Sequence, residues 1–152
     1  MNLQEELKAL KERIAELEKQ VKEEQEFPQE GDSFYSISET GNIEGGMIWG
    51  GYPVDMNRMA IGNLFKTEQQ AEFVVEKLKV EAELRKFSRP FKNGEFNYYI
   101  FFYIDDDDIE VGYKAACHSQ GVIYFESEEK AQQAIEAVGI DRIKKYIFGV
   151  EE

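Results

Sequence analysis

Leu64-Phe65-Lys66-Thr67-Glu68-Gln69-Gln70-Ala71 returns without a gap, sixty residues later, as Tyr124-Phe125-Glu126-Ser127-Glu128-Glu129-Lys130-Ala131. Each copy reads as a short apolar strand ending in phenylalanine, one connecting residue, and a Thr or Ser that can cap the helix after it. Thr67 has Gln70 at the reciprocal capping position, and Ser127 is followed by Glu128 and Glu129, which suit the positive end of a helix dipole. The echo continues through Val75 with Ile135, Glu76 with Glu136, and Leu78 with Val138. The first helix is expected over 68–87. One of its stripes carries Ala71, Val74, Val75, Leu78 and Ala82, and a second carries Phe73, Val80, Leu84 and Phe87, until Ser88-Arg89-Pro90 stops it. The second helix is expected over 128–138, burying Ala131, Ala134, Ile135 and Val138. Gly139 then closes it, and Asp141 caps a last turn through Tyr146.

Ahead of each unit lies a hairpin. Ser33-Phe34-Tyr35-Ser36-Ile37 and Met47-Ile48-Trp49 flank the turn region Glu39-Thr40-Gly41-Asn42, while 97–104 and 109–116 flank four consecutive aspartates at 105–108. The fold class is therefore α+β. Two β-β-β-α-like units, a possible internal repeat over 33–88 and 94–148, would form an antiparallel sheet of five or six strands with helices on one face. Duplication accounts for the echo, and so does the common chemistry of strand-cap-helix junctions.

The N-terminal segment follows a different rule. Leu3, Leu7, Leu10, Ile14, Leu17 and Val21 alternate spacings of four and three, which is a heptad seam. Leucine occupies the d positions and Leu7, Ile14 and Val21 the a positions, a pattern that favours two parallel strands. In a parallel homodimer Glu6 of one copy faces Lys11 of the other, and Arg13 faces Glu18. Asn2 and Glu5 form a capping box, so a dimerisation helix is expected over 1–26, a linker over 27–32 and the globular α+β domain over 33–152. The alternative is a helix folded back on its own domain, although a seam of a and d positions alone is narrower than the stripe such helices present. Three heptads are marginal alone, so the pairing is expected to draw on contacts from the body.

The chain has 152 residues, with 31 Asp and Glu against 18 Lys and Arg, for a net charge of −13. Residues 1–30 hold nine acids and five bases, leaving 22 acids against 13 bases, or −9, on the rest. Direct nucleic-acid binding is disfavoured, because such binding draws affinity from counterions released by Lys and Arg. The acidic surface serves solubility or attracts a basic protein groove. No apolar h-region and no apolar run near the roughly 20 residues of a membrane span are expected, and a single cysteine fits a reducing compartment. These signs point to the cytoplasm, without a membrane partner.

Chemistry is hard to place. Cys117 and His118 are adjacent, whereas zinc needs four ligands and a nucleophilic pair needs convergence through space. The aspartates at 105–108 lack the glycine and distal glutamate of a calcium loop and read as a solvated hairpin tip. Gly45-Gly46 and Gly50-Gly51 precede no Gly-Lys-Ser/Thr sequence. No catalytic residue, metal or cofactor is expected. Two contact surfaces remain. Met47, Trp49 and Tyr52 among flexible glycines compose a recognition loop, unless Trp49 packs in the core. Arg85, Lys86, Arg89 and Lys92 at the end of the first helix, and Arg142, Lys144 and Lys145 in the last turn, complement helix dipoles; if they meet, they form an anion patch.

Gly31-Asp32-Ser33-Phe34-Tyr35, Gly62-Asn63-Leu64-Phe65-Lys66-Thr67, Glu76-Lys77-Leu78-Lys79-Val80, the 123–131 segment and Asp141-Arg142-Ile143-Lys144-Lys145-Tyr146 resemble a group of small proteins encoded by phages and prophages of Gram-positive bacteria. The resemblance covers most of the chain after the heptads. It implies a setting, a phage protein acting inside a bacterial host, and carries over no site residues. The expected function is thus a non-enzymatic acidic dimer that binds and blocks a host protein, such as a nucleic-acid-handling or defence factor. The other reading is a binder or sponge for a small anion, such as a nucleotide.

Overall fold

The computed structural model describes residues 2–24 and 26–151; Met1, Gln25 and Glu152, which the expected 1–26 and 33–152 segments include, lie outside the described residues. The fold is mixed α+β. In chain order it comprises α1 (Leu3–Glu24), β1 (Ser33–Ile37), β2 (Ile43–Ile48), α2 (Pro53–Ala60), α3 (Glu68–Arg85), β3 (Asn97–Tyr103), β4 (Asp108–Lys114), α4 (Glu128–Val138) and α5 (Ile140–Tyr146). Two compact units divide it: Met1–Ser36 with Glu44–Thr67, and Ile37–Ile43 with Glu68–Glu152. The division falls at the start of α3 rather than between the expected repeats, because α3 packs against α4 and α5.

In the first unit α1 opens as its sequence requires. The Glu5 amide donates to Asn2 Oδ1 at 2.9 Å and the Asn2 amide returns a bond to Glu5 Oε2 at 3.2 Å, so two donors that a helix start leaves orphaned are satisfied. The strands β1 and β2 pair as a hairpin, extended by Trp49 N to Asp32 O at 2.7 Å and Gly31 N to Trp49 O at 3.1 Å. Phe65 then adds to β1, exchanging both backbone bonds with Tyr35 at 2.8 Å.

The second unit repeats this plan. β3 and β4 pair antiparallel, with Ile100 opposite Val111 and Phe102 opposite Ile109. Phe125 bridges Tyr98 through two backbone bonds, at 2.8 and 3.1 Å. Phe65 and Phe125, the ends of the two echoed segments, therefore occupy equivalent places beside the first strand of their hairpins. The pairing forms two two-stranded sheets, not one sheet of five or six strands. Each helix starts three residues beyond its phenylalanine, so the chain turns into helix before a third strand can grow past a single bridge.

Ser127 caps α4 by accepting from the Lys130 amide at 3.1 Å. Gly139, at φ +99°, a conformation costly for residues with a Cβ, ends α4 and opens α5 directly. Asp141 consequently lies in the first turn of α5 and is not its cap. The core of this unit joins Val80, Leu84, Ile109, Phe125, Ala131, Ala134, Ile135, Val138 and Ile143, with Tyr98, Ile100, Phe102 and Val111 of the hairpin packed on it.

α3 departs from its expected burial in an instructive way. Its first half buries Ala71 and Val75, whereas its second half buries Val80 and Leu84. At 3.6 residues per turn these pairs lie on opposite faces. Both sequence stripes are real, and each is used over half the length. Leu78 and Ala82 continue the first stripe into solvent, and Phe73 continues the second, meeting the Tyr146 ring at 5.2 Å. The helix stops at Arg85, two residues early. Phe87 N and Ser88 N bond to the Leu84 and Arg85 carbonyls at 3.1 Å, tightening the last turn before Pro90.

Candidate functional site

The recognition loop expected around Met47, Trp49 and Tyr52 is not a loop. Gly45, Gly46 and Met47 are part of β2, and the backbone of Trp49 prolongs the hairpin ladder. Met47 and Trp49 are half-buried, and Tyr52 is exposed at the start of α2. Strand pairing satisfies the backbone groups that a loop would leave to water, and the glycines do not prevent it.

Helix α2, just after the hairpin, is turned inside out. Pro53 begins it and Asp55 is its only buried residue. The Asp55 carboxylate accepts the Gly50 amide at 3.2 Å and the Arg58 guanidinium at 3.4 Å, and Arg58 in turn lies 5.9 Å over the Phe34 ring. Val54, Met56, Met59 and Ile61 are exposed, as are Ile48 and Tyr52 nearby in sequence. Exposed apolar side chains thus lie on both sides of the helix, Val54 and Ile61 on one and Met56 and Met59 on the other, while a carboxylate is buried. Methionine suits a contact surface, being unbranched and polarizable. Sequence reasoning missed this helix; the signals were proline at the first helical position, an acid in the first turn, and methionines three residues apart.

The seam of α1 is likewise uncovered. Leu3, Leu7, Leu10, Ile14, Leu17 and Val21 are between 43% and 83% exposed. The fold-back alternative would have buried this stripe. The apolar line of α1 is exposed along its whole length.

The expected anion patch does not form as a free basic surface. Arg142 of α5 reaches α3 and grips Glu83 with both guanidinium nitrogens, at 2.8 and 3.1 Å. Arg85 pairs with Glu81 at 3.2 Å. Arg89 donates to Asn97 Oδ1 at 2.8 Å and to the carbonyls of Phe96 and Pro90. Lys144 donates to the Asp107 carbonyl at 2.6 Å, and Lys145 lies 5.4 Å over the Tyr146 ring. Lys86 and Lys92 remain exposed, and Lys86 adds to the positive field around Glu83. These cations brace helix ends and turns, and a phosphate would have to displace those partners.

Other candidates resolve structurally. Strand β4 ends at Lys114, so Cys117 and His118 lie in the loop after it; Cys117 is exposed, and His118 stacks on Phe91 with 4.4 Å between centroids. The aspartate run makes a turn, with Asp107 at φ +48° and Asp108 already in β4. Among the described residues no group of three or more His, Cys, Asp or Glu side chains could hold a metal ion. A cleft of about 420 Å³ in the second unit is lined by Leu84, Ile100, Ile123, Phe125 and Phe148, and of its charged groups Lys77, Glu81 and Arg85 the last two pair with one another. Among the described residues, no helix is long and apolar enough to cross a membrane. Comparison with protein-family models, with curated proteins and with solved structures yields no match.

Proposed function

We propose that this protein is a non-enzymatic interaction protein, a parallel homodimer paired through α1 whose acidic body occupies a basic surface of another protein. The observation that carries the reading is the exposure of all six seam residues on a helix whose other positions, Ala9 and Ala15 aside, are charged or polar. Leaving six large apolar side chains in water is costly, and a second copy removes them at once. Three heptads supply a modest interface, and the exposed Met56 and Met59 of α2, in the same unit, add apolar surface to the pairing.

The net charge of −13 supports a basic target, since complementary fields speed encounter and select partners. In the phage setting that the sequence resemblance implies, the target is a host protein in the bacterial cytoplasm. Factors that handle nucleic acid, or that defend against it, offer the basic groove such a surface would block. Two copies held in parallel engage such a target twice, multiplying a modest affinity. Small-anion binding has less support, because Arg85, Arg89, Arg142 and Lys144 are already held by acids or carbonyls.

Capture from bacterial lysate with the full chain tests the reading. A specific host protein should be retained, less at higher salt and less by a Leu10→Asp/Ile14→Asp variant. Retention that ignores both salt and the seam contradicts it.

A further inference from the structure

The hairpin β3–β4 has two unlike faces. The register places Tyr98 with Tyr113, Ile100 with Val111 and Phe102 with Ile109 on the side that packs into the core. The opposite side therefore carries Tyr99 across from Gly112, Phe101 across from Glu110 and Tyr103 across from Asp108. Three aromatic rings in a row on the outer face of a two-stranded hairpin are not needed for the core. Tyr103 is 46% exposed, and Tyr99 and Phe101 are half-buried.

Their packing makes a platform. A Cβ added to Gly112 would lie 3.1 Å from the Tyr99 ring and 3.2 Å from that of Phe101, so both rings close over the bare backbone of the opposite strand. Carboxylates border them. Glu110 and Asp108 are exposed, and neither is in an ion pair among the described residues; Asp108 accepts only its neighbour's amide, from Ile109, at 2.8 Å. A cation already lies on one of these rings: Lys114 Nζ, which donates to Ser119 Oγ, sits over Tyr99, 4.9 Å from the centroid.

We propose that this outer face docks a basic segment of the partner protein, with arginine side chains stacking on Phe101 and Tyr103 while bonding to Glu110 and Asp108. Guanidinium groups suit both halves of the site, since they stack on aromatic faces and bond carboxylates in a planar fork. The proposal rests on the protein-binding reading above and names the chemistry that the partner presents. Charge complementarity decides the occupant: Lys144 meets Asp107 and Lys114 covers Tyr99, but Asp105, Asp106, Asp108 and Glu110 leave the Phe101–Tyr103 end of the face acidic, on a chain of net charge −13.

The test titrates full-length protein with a fluorescent oligoarginine peptide, using oligolysine and oligoglutamate peptides as comparisons. Oligoarginine should bind more tightly than oligolysine, and oligoglutamate not at all. Phe101→Thr/Tyr103→Thr leaves net charge unchanged and should weaken oligoarginine binding about five- to tenfold. Glu110→Gln should weaken it more than Glu136→Gln, which removes the same charge from α4. Amide shift mapping on the unaltered protein reads the site independently of any variant's folding, and the largest changes should fall in 99–103 and 108–112. Equal binding by the aromatic variant, equal effects of the two Glu→Gln changes, or shifts spread over other acidic surfaces would overturn the proposal. Loss of self-association in the aromatic variant would also overturn it, by assigning the face to a second copy. A full-length protein that binds oligoarginine at this face as a monomer would refute the pairing and leave this site standing. Lysate capture by a protein indifferent to oligoarginine would do the reverse.

Discussion

Arg142 of α5 grips Glu83 of α3 through a two-pronged fork, Nη1 to Oε2 at 2.8 Å and Nη2 to Oε1 at 3.1 Å, and so ties the last helix to the longest helix of its unit. Fifty-nine residues separate the two in sequence. The fork also removes Arg142 from any anion site. Its hydrogen bonds hold the Glu83 carboxyl below the ordinary glutamate value of 4.5, and the same bonds raise the arginine. A depressed carboxyl contributes stability that is complete above its unfolded pKa and is lost as pH falls through the folded one. Wild-type stability should therefore decline below about pH 4.5 more steeply than that of Glu83→Gln, as read by urea unfolding across an acid pH series. Both side chains are more than a third exposed, so screening limits the neutral-pH cost of Glu83→Gln to under about 1 kcal/mol.

Asn97 should matter more than any surface pair. It is fully buried, and its amide nitrogen donates to the carbonyls of Lys92, Glu95 and Lys114 while its oxygen accepts from Arg89 and the Lys92 amide. Asn97→Ala leaves these groups facing a cavity and should cost about 2–4 kcal/mol in denaturant unfolding. Arg89→Lys, which keeps charge but not the fork geometry, should cost less than Asn97→Ala.

The change of face along α3 gives a paired test. Leu84→Ala removes a buried side chain and should cost about 2–4 kcal/mol. Leu78→Ala, six residues earlier on a position 51% exposed, should cost under about 1 kcal/mol by the same measurement. Equal losses would mean that the helix buries one continuous face.

The inverted helix α2 predicts the unusual result that removing a charge harms more than adding two. Asp55→Ala frees the Gly50 amide and the Arg58 guanidinium and should cost about 1–2 kcal/mol. Met56→Glu/Met59→Glu touches only exposed side chains and should leave the thermal midpoint within a few degrees, while weakening self-association.

Sequence patterns reached furthest where chemistry was local. The Asn2–Glu5 box, the Ser127 cap, the buried quartet Ala131, Ala134, Ile135 and Val138, and the equivalence of Phe65 with Phe125 all follow from spacings of a few residues. Tertiary context decided the rest. Nothing in 68–85 announces that its two stripes serve opposite faces over different halves, since each stripe is regular by itself. The glycines at 45 and 46 suggested a loop because their permissive backbones obscure a strand that pairing alone stabilises. Arg85 lies in the last turn of α3 and Lys144 and Lys145 in that of α5, whereas Arg142 stands earlier in α5 and Lys86, Arg89 and Lys92 follow the end of α3. Their partners Glu83, Asn97 and Asp107 lie elsewhere in the chain, and only folding brings them together.

The central claim is that α1 pairs two copies. Light scattering of the full-length protein across micromolar concentrations tests it most directly, with the Leu10→Asp/Ile14→Asp variant measured beside it. The wild type should show twice the 17.6 kDa chain mass and the variant a single chain mass. A wild type of single chain mass throughout that range, or a variant that still pairs, would contradict it.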